Sequence, residues 1–77
     1  MKHSYLIDAL QKKLEGEIAI ARANVNVYLE NPAGIGEHPE ILAAIESQIE
    51  IIAEAQDKLE VIKGQHFNPA NHWSGIE

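Results

Sequence analysis

The segment Asn31-Pro32-Ala33-Gly34-Ile35-Gly36-Glu37-His38 separates two long stretches that both have the apolar periodicity of α-helices. Pro32 cannot continue a helix, and it disfavours helical geometry at the residue before it. Gly34 and Gly36 adopt positive φ angles at little cost, which a tight reversal of the chain requires. The segment therefore predicts a connector over residues 31–38 between two helices.

The stretch before the connector predicts a helix from about Ser4 to Glu30. Its predicted core residues recur every seven positions, with others three or four positions away: Ile7, Leu10, Leu14, Ile18, Ala21, Val25 and Tyr28. The Ser4 hydroxyl can cap the first turn. A second set of apolar residues, Leu6, Ile20 and Val27, widens the stripe beyond what one neighbouring helix can cover.

The stretch after the connector predicts a second helix from about Pro39 to Lys63. Pro39 suits a first helical position because a helix makes no use of its missing N–H there. Gly64 is the residue type that commonly follows the last turn, and we expect the helix to end before it. The predicted core positions are Leu42, Ile45, Ile49, Ile52, Ala55, Leu59 and Ile62. Equal lengths and a short connector predict an all-α, antiparallel two-helix hairpin over residues 1–64.

Residues 65–77 differ from the rest, because they combine turn-forming residues with two of the few aromatic side chains. We expect an irregular C-terminal tail that packs back on the hairpin or contacts a partner. Its Trp73 is either a packing anchor or a centre of binding energy in an interface, and the sequence favours neither.

Charge and composition exclude several classes of protein. The chain has 77 residues, 12 of them acidic and 6 basic, and the basic residues form no stripe that could neutralise phosphates. Nucleic acid is therefore not an expected partner. No apolar stretch approaches the roughly 20 residues that cross a bilayer, and no secretory signal is visible, so we expect no membrane contact and a cytoplasmic location. With no cysteine, disulfides and thiolate chemistry are excluded.

No pattern of residues points to catalysis, a metal or a cofactor. The serines have no His and acid arranged around them, and the four histidines lack the spacing of metal ligands, so we expect no enzyme activity. The Gly34-Ile35-Gly36 element lacks the Lys and Ser/Thr of a phosphate-binding loop and fits a helix reversal better. The acidic row Glu46, Glu50 and Glu54 is interpreted as the solvated side of a helix. The alternative is a contact surface for a basic partner or a divalent cation.

The breadth of the apolar stripes predicts self-association. Two helices share one interface, and domains this small commonly need a second subunit, so we expect a homodimer or higher oligomer, two hairpins forming a four-helix bundle. The alternative is a monomer whose tail covers the second face.

We expect a non-enzymatic protein that acts through protein–protein interaction. The alternative is a small-ligand or metal-binding regulator with a site between subunits. The candidate contact residues are Gly34, Ile35, Gly36, Glu37, His38 and Trp73.

The connector pattern Asn-Pro-x-Gly-x-Gly-Glu-His, at residues 31–38, resembles that of small helical-hairpin proteins of large tailed phages, including phages of cyanobacteria. The resemblance covers about residues 5–63. It implies a context of phage infection and no mechanism. We expect an accessory or assembly factor that contacts a host or phage protein, in the host cytoplasm or within the virion. The resemblance implies no chemical activity and assigns no catalytic or binding residue.

Overall fold

The computed structural model describes residues 4–31 and 38–65, which form two helices and contain no strand. Helix α1 is Ser4–Glu30 and helix α2 is His38–Gln65. The beginning of α1 packs against the end of α2, so the two helices are antiparallel and form an all-α hairpin. Most of the predicted connector, at residues 32–37, and the tail at residues 66–77 lie outside the described residues.

A small core holds the two helices together. Its buried side chains are Leu14, Ile18, Ala21, Ala55, Leu59 and Ile62. Ile7 and Ile52 are half-buried and pack against this cluster. Two of the six are alanines, and small side chains at a helix–helix contact allow the backbones to approach closely.

Between the level of Asn24 and Gln48 and the connector, no described residue is fully buried. The side chains that face the partner helix there are only half-buried: Val25, Tyr28, Ile41, Ala44 and Ile45. The core therefore lies towards the end that carries the chain termini, and the apolar side chains next to the connector stay accessible.

A polar pair lies where the buried core ends, on the side towards the connector. The Asn24 Nδ2 donates a hydrogen bond of 3.0 Å to the Gln48 Oε1, and both side chains are partly buried. A polar pair within an otherwise apolar helix–helix interface favours one register, because sliding either helix by a turn would leave both amides without a partner. Within the described ranges, no buried side-chain nitrogen or oxygen lacks a hydrogen bond.

The helix ends differ from the sequence-based expectation at α2. The helix begins at His38, one residue before the predicted Pro39, and it continues to Gln65 rather than ending at Lys63. Gly64 is therefore a helical residue and not the residue that follows the helix. Glycine costs a helix about 1 kcal/mol relative to alanine, which the rest of a long helix can tolerate. At the end of α1, the Asn31 N–H still bonds to the Val27 carbonyl at 2.8 Å.

Three residues predicted for the core are exposed instead. Leu10 is 41% exposed, Leu42 is 68% exposed and Ile49 is 50% exposed. The α2 sequence has two neighbouring apolar rows, and both repeat every seven residues. Periodicity alone does not tell which of the two rows faces the partner helix. In α2 the row that contains Ile45, Ile52 and Leu59 faces α1, and the row of Leu42 and Ile49 lies beside it.

Candidate interaction surface

The structure describes one of the predicted contact residues. His38 is exposed at the first residue of α2. Gly34, Ile35, Gly36, Glu37 and Trp73 lie outside the described ranges, so their predicted role as contacts stays a prediction. The candidate surface is therefore built from the side chains of α1 and α2.

Many large apolar side chains are exposed on the two helices. Ten of them, with exposed fractions between 40% and 68%, are Tyr5, Leu6, Leu10, Ile20, Val27, Leu29, Leu42, Ile49, Ile51 and Val61. Single exposed leucines are ordinary, but large exposed groups of apolar residues mark surfaces that bind other molecules. Their arrangement on the hairpin therefore decides what the surface can do.

Two helices lying side by side present two broad faces, one on each side of the line where they touch. A groove on the first face is lined by Glu15, Ile18 and Arg22 of α1 and by Gln56, Glu60 and Lys63 of α2. A groove on the second face is lined by Glu17, Ile20 and Asn24 of α1 and by Gln48, Ile51 and Lys58 of α2.

The first face changes from polar to apolar along its length. Residues seven apart occupy nearly the same side of a helix, so the groove residues extend into rows. The row on α1 is Asp8, Glu15, Arg22 and Leu29, and the row on α2 is Leu42, Ile49, Gln56 and Lys63. Both rows are polar near the termini and apolar next to the connector.

The apolar half of the first face forms a continuous group that we call the connector-proximal patch. It consists of Val25, Leu29, Leu42, Ile45, Ile49 and Ile52. Three of these are exposed, and the other three are half-buried at the contact between the helices. None of these six is charged, and the exposed Glu46 and Arg22 border the group. The six therefore offer an apolar contact with a charged rim.

The second face is interrupted by charged and amide groups. Leu6, Ile20, Val27 and Ile51 are exposed there. The Lys13 side chain interrupts this row on α1, and its Nζ lies 2.6 Å from the Glu17 Oε2. The hydrogen bond from Lys13 lowers the pKa of Glu17, desolvation opposes this, and the charges of Lys13 and Lys58 lower it further. The second face is therefore less suited to a dry interface than the connector-proximal patch.

A second ion pair lies on the exposed surface near the start of α1. The Lys12 Nζ lies 2.9 Å from the Asp8 Oδ2. The hydrogen bond to Asp8, followed by the attraction between the two charges, raises the pKa of Lys12. This pair has the acidic residue nearer to the helix N-terminus, which is the favourable order for residues four apart.

The structure offers no ligand set for a metal among residues 4–31 and 38–65, since no three His, Asp or Glu side chains meet there. The predicted acidic row at Glu46, Glu50 and Glu54 is exposed along α2. Neither described helix has an apolar stretch long enough to cross a membrane.

No protein-family model matches the chain, and neither a curated protein nor a solved structure is similar to it.

Proposed function

We propose that this chain is a helical interaction module that self-associates, with two hairpins stacking face to face as a four-helix bundle, and that it acts by binding protein. The observation that carries the proposal is the set of ten large apolar side chains that the described helices leave exposed. Burying a large aliphatic side chain fully contributes about 1.5–3 kcal/mol, so each half-exposed one still has roughly half of that to gain from a partner.

The size of a hairpin face supports a second copy as the partner. A helix of 27 residues is about 40 Å long, and two helices side by side are about 20 Å wide, which gives a face of about 800 Å². Stable protein–protein interfaces cover about 800 Å² on each partner. One face of the hairpin is therefore large enough to hold a stable dimer.

Self-association on one face leaves the other available to a different protein. The second face mixes exposed aliphatic residues with charges, which is the polar and apolar composition of a transient interface. The resemblance of the connector to those of phage hairpin proteins favours a phage or host protein as that partner. The role is then that of an accessory or assembly factor.

The test is the mass of the chain in solution, measured by light scattering on a gel-filtration column over a wide range of concentration. We expect twice the chain mass of 8.5 kDa or a higher multiple. A single-chain mass at the highest concentration would contradict the proposal. Regulation by a metal or small ligand remains a prediction from the sequence, and nothing in the described ranges favours it.

A further inference from the structure

We propose that the connector-proximal patch binds the same patch of a second copy, with the two connectors at the same end of the bundle and the two-fold axis parallel to the helices. This proposal rests on the proposed self-association. It adds the surface that mediates it and the orientation of the two hairpins.

The first step is to compare the positions of residues of α1 and α2 along the long axis of the hairpin, which we call their height. The Asn24–Gln48 hydrogen bond places these two residues level with each other. Because the helices are antiparallel, a residue of α1 that precedes Asn24 by a given number of positions lies at the same height as the residue of α2 that follows Gln48 by that number. The two rows of the first face are therefore level, to within one residue or about 1.5 Å. The level pairs are Leu29 with Leu42, Arg22 with Ile49, Glu15 with Gln56, and Asp8 with Lys63.

The second step is what a two-fold axis parallel to the helices does to these pairs. Such an axis stacks the α1 of one copy on the α2 of the other without changing the height of any residue. Leu29 then faces Leu42 of the second copy next to the connectors. At the other end Asp8 faces Lys63 of the second copy, so opposite charges meet at the solvated end.

The opposite orientation brings unlike surfaces together. An axis perpendicular to the helices stacks α1 on α1 with the connectors at opposite ends. Leu29 then lies close to the level of Asp8 of the second copy, and Leu42 lies close to the level of Lys63. Desolvating a charge against an aliphatic side chain is unfavourable. The perpendicular axis forms two such pairs, Leu29 with Asp8 and Leu42 with Lys63, whereas the parallel axis forms one, Arg22 with Ile49, at the edge of the connector-proximal patch. Sliding the hairpins until the two patches meet would leave much of each face uncovered.

The surface is tested with single charges introduced into each face. We expect Leu42→Glu and Ile49→Glu to convert the dimer to a single-chain mass while the far-ultraviolet circular dichroism stays helical, because both residues are exposed in one hairpin. Ile20→Glu is the matched control, since Ile20 is also an exposed aliphatic residue but lies on the second face. It should leave the dimer intact.

The orientation is tested with spin labels, which the absence of native cysteine makes simple. Ala43→Cys and Gly64→Cys place one label near each end of α2, at exposed positions on the side away from α1. Connectors at the same end give similar label-to-label distances at both positions. With Leu42 level with Lys63 of the second copy, connectors at opposite ends add a separation along the axis of about 29 Å at Ala43 and about 35 Å at Gly64.

Each outcome separates the two proposals. A wild-type chain that stays a single copy overturns both, and a dimer that only Ile20→Glu disrupts overturns the assignment of the surface. A dimer whose label-to-label distances are lengthened at both positions by about 30 Å along the axis overturns the orientation alone. If Leu42→Glu or Ile49→Glu unfolds the chain, the spin-label distances of otherwise unchanged chains still decide the orientation.

Discussion

At the scale of single residues, the Asn24–Gln48 pair is the feature that most constrains the hairpin. Aliphatic side chains tolerate several registers because their attraction has no direction, whereas two amides must meet at hydrogen-bonding distance. The sequence places Asn24 next to the predicted apolar row of α1, but it gives no means to identify its partner. That partner depends on the register of the two helices, which the structure shows.

The first prediction concerns the coupling within this pair. We expect Asn24→Ala and Gln48→Ala each to lower the free energy of unfolding by about 1 kcal/mol, because each leaves a partly buried amide without its partner. The double variant should lose less than the sum of the two. Urea denaturation of all four chains measures the coupling, and strictly additive losses would show that the hydrogen bond contributes nothing.

The second prediction concerns the pKa of Glu17. Lys13 lowers this pKa below 4.5, so the ion pair stabilises the fold fully above pH 4.5 and is lost as the pH falls through the lower, folded value. We expect Lys13→Gln to raise the pKa of Glu17, measured by NMR titration of its side-chain carboxyl. Lys12→Gln is the control, because Lys12 pairs with Asp8 and should leave the pKa of Glu17 unchanged. An equal response to both substitutions would contradict the pairing.

At the scale of the helices, the pattern of burial is uneven along the hairpin. The heptad repeat was sufficient to predict two helices and most of the residues that face the partner. It was not sufficient to separate the buried row of α2 from the neighbouring row of Leu42 and Ile49, because both have the same period. That distinction depends on the rotation of α2 about its own axis, which the contacts of both helices determine together.

The third prediction compares two leucines on α1. Leu14 is 1% exposed in the core, and Leu10 is at the edge of the helix contact. We expect Leu14→Ala to lower the free energy of unfolding by about 2–5 kcal/mol, as for other buried leucines, and Leu10→Ala to cost clearly less. Thermal and urea denaturation followed by circular dichroism compare them. Similar losses for both variants would contradict the observed core.

At the scale of the whole molecule, the sequence predicts a surplus of apolar surface, and most of its predicted contact residues lie outside the described ranges. Leu6, Ile20 and Val27 were recognised as widening the stripe of α1, and all three are exposed. The predicted contact residues lie in the connector and the tail, because those segments carry the glycines and the tryptophan that stand out from the helical pattern. The connector-proximal patch consists of ordinary Leu, Ile and Val, and only the arrangement of both helices brings these side chains together.

The fourth prediction concerns thermal stability. If two copies fold together, raising the concentration favours the folded state, and each tenfold increase adds about 1.4 kcal/mol per dimer. We expect the Tm of the wild-type chain to rise with concentration, measured by differential scanning calorimetry. The Tm of Leu42→Glu should depend on concentration much less. A wild-type Tm that does not change with concentration would argue against a dimer.

The position of the core has a consequence for the length of the connector. Its two members nearest the connector, Ala21 and Ala55, are about 34 positions apart in the sequence, so any fully buried contact closes a long loop. The entropy of closing a loop grows only with the logarithm of its length, and six extra connector residues would cost about 0.15 kcal/mol. The turns beside the connector contribute little buried surface during folding. The stabilising contacts form only when residues far apart in the sequence meet, and this slows folding. A longer connector therefore costs almost no stability. Shortening the far ends of the helices, in contrast, would remove core contacts.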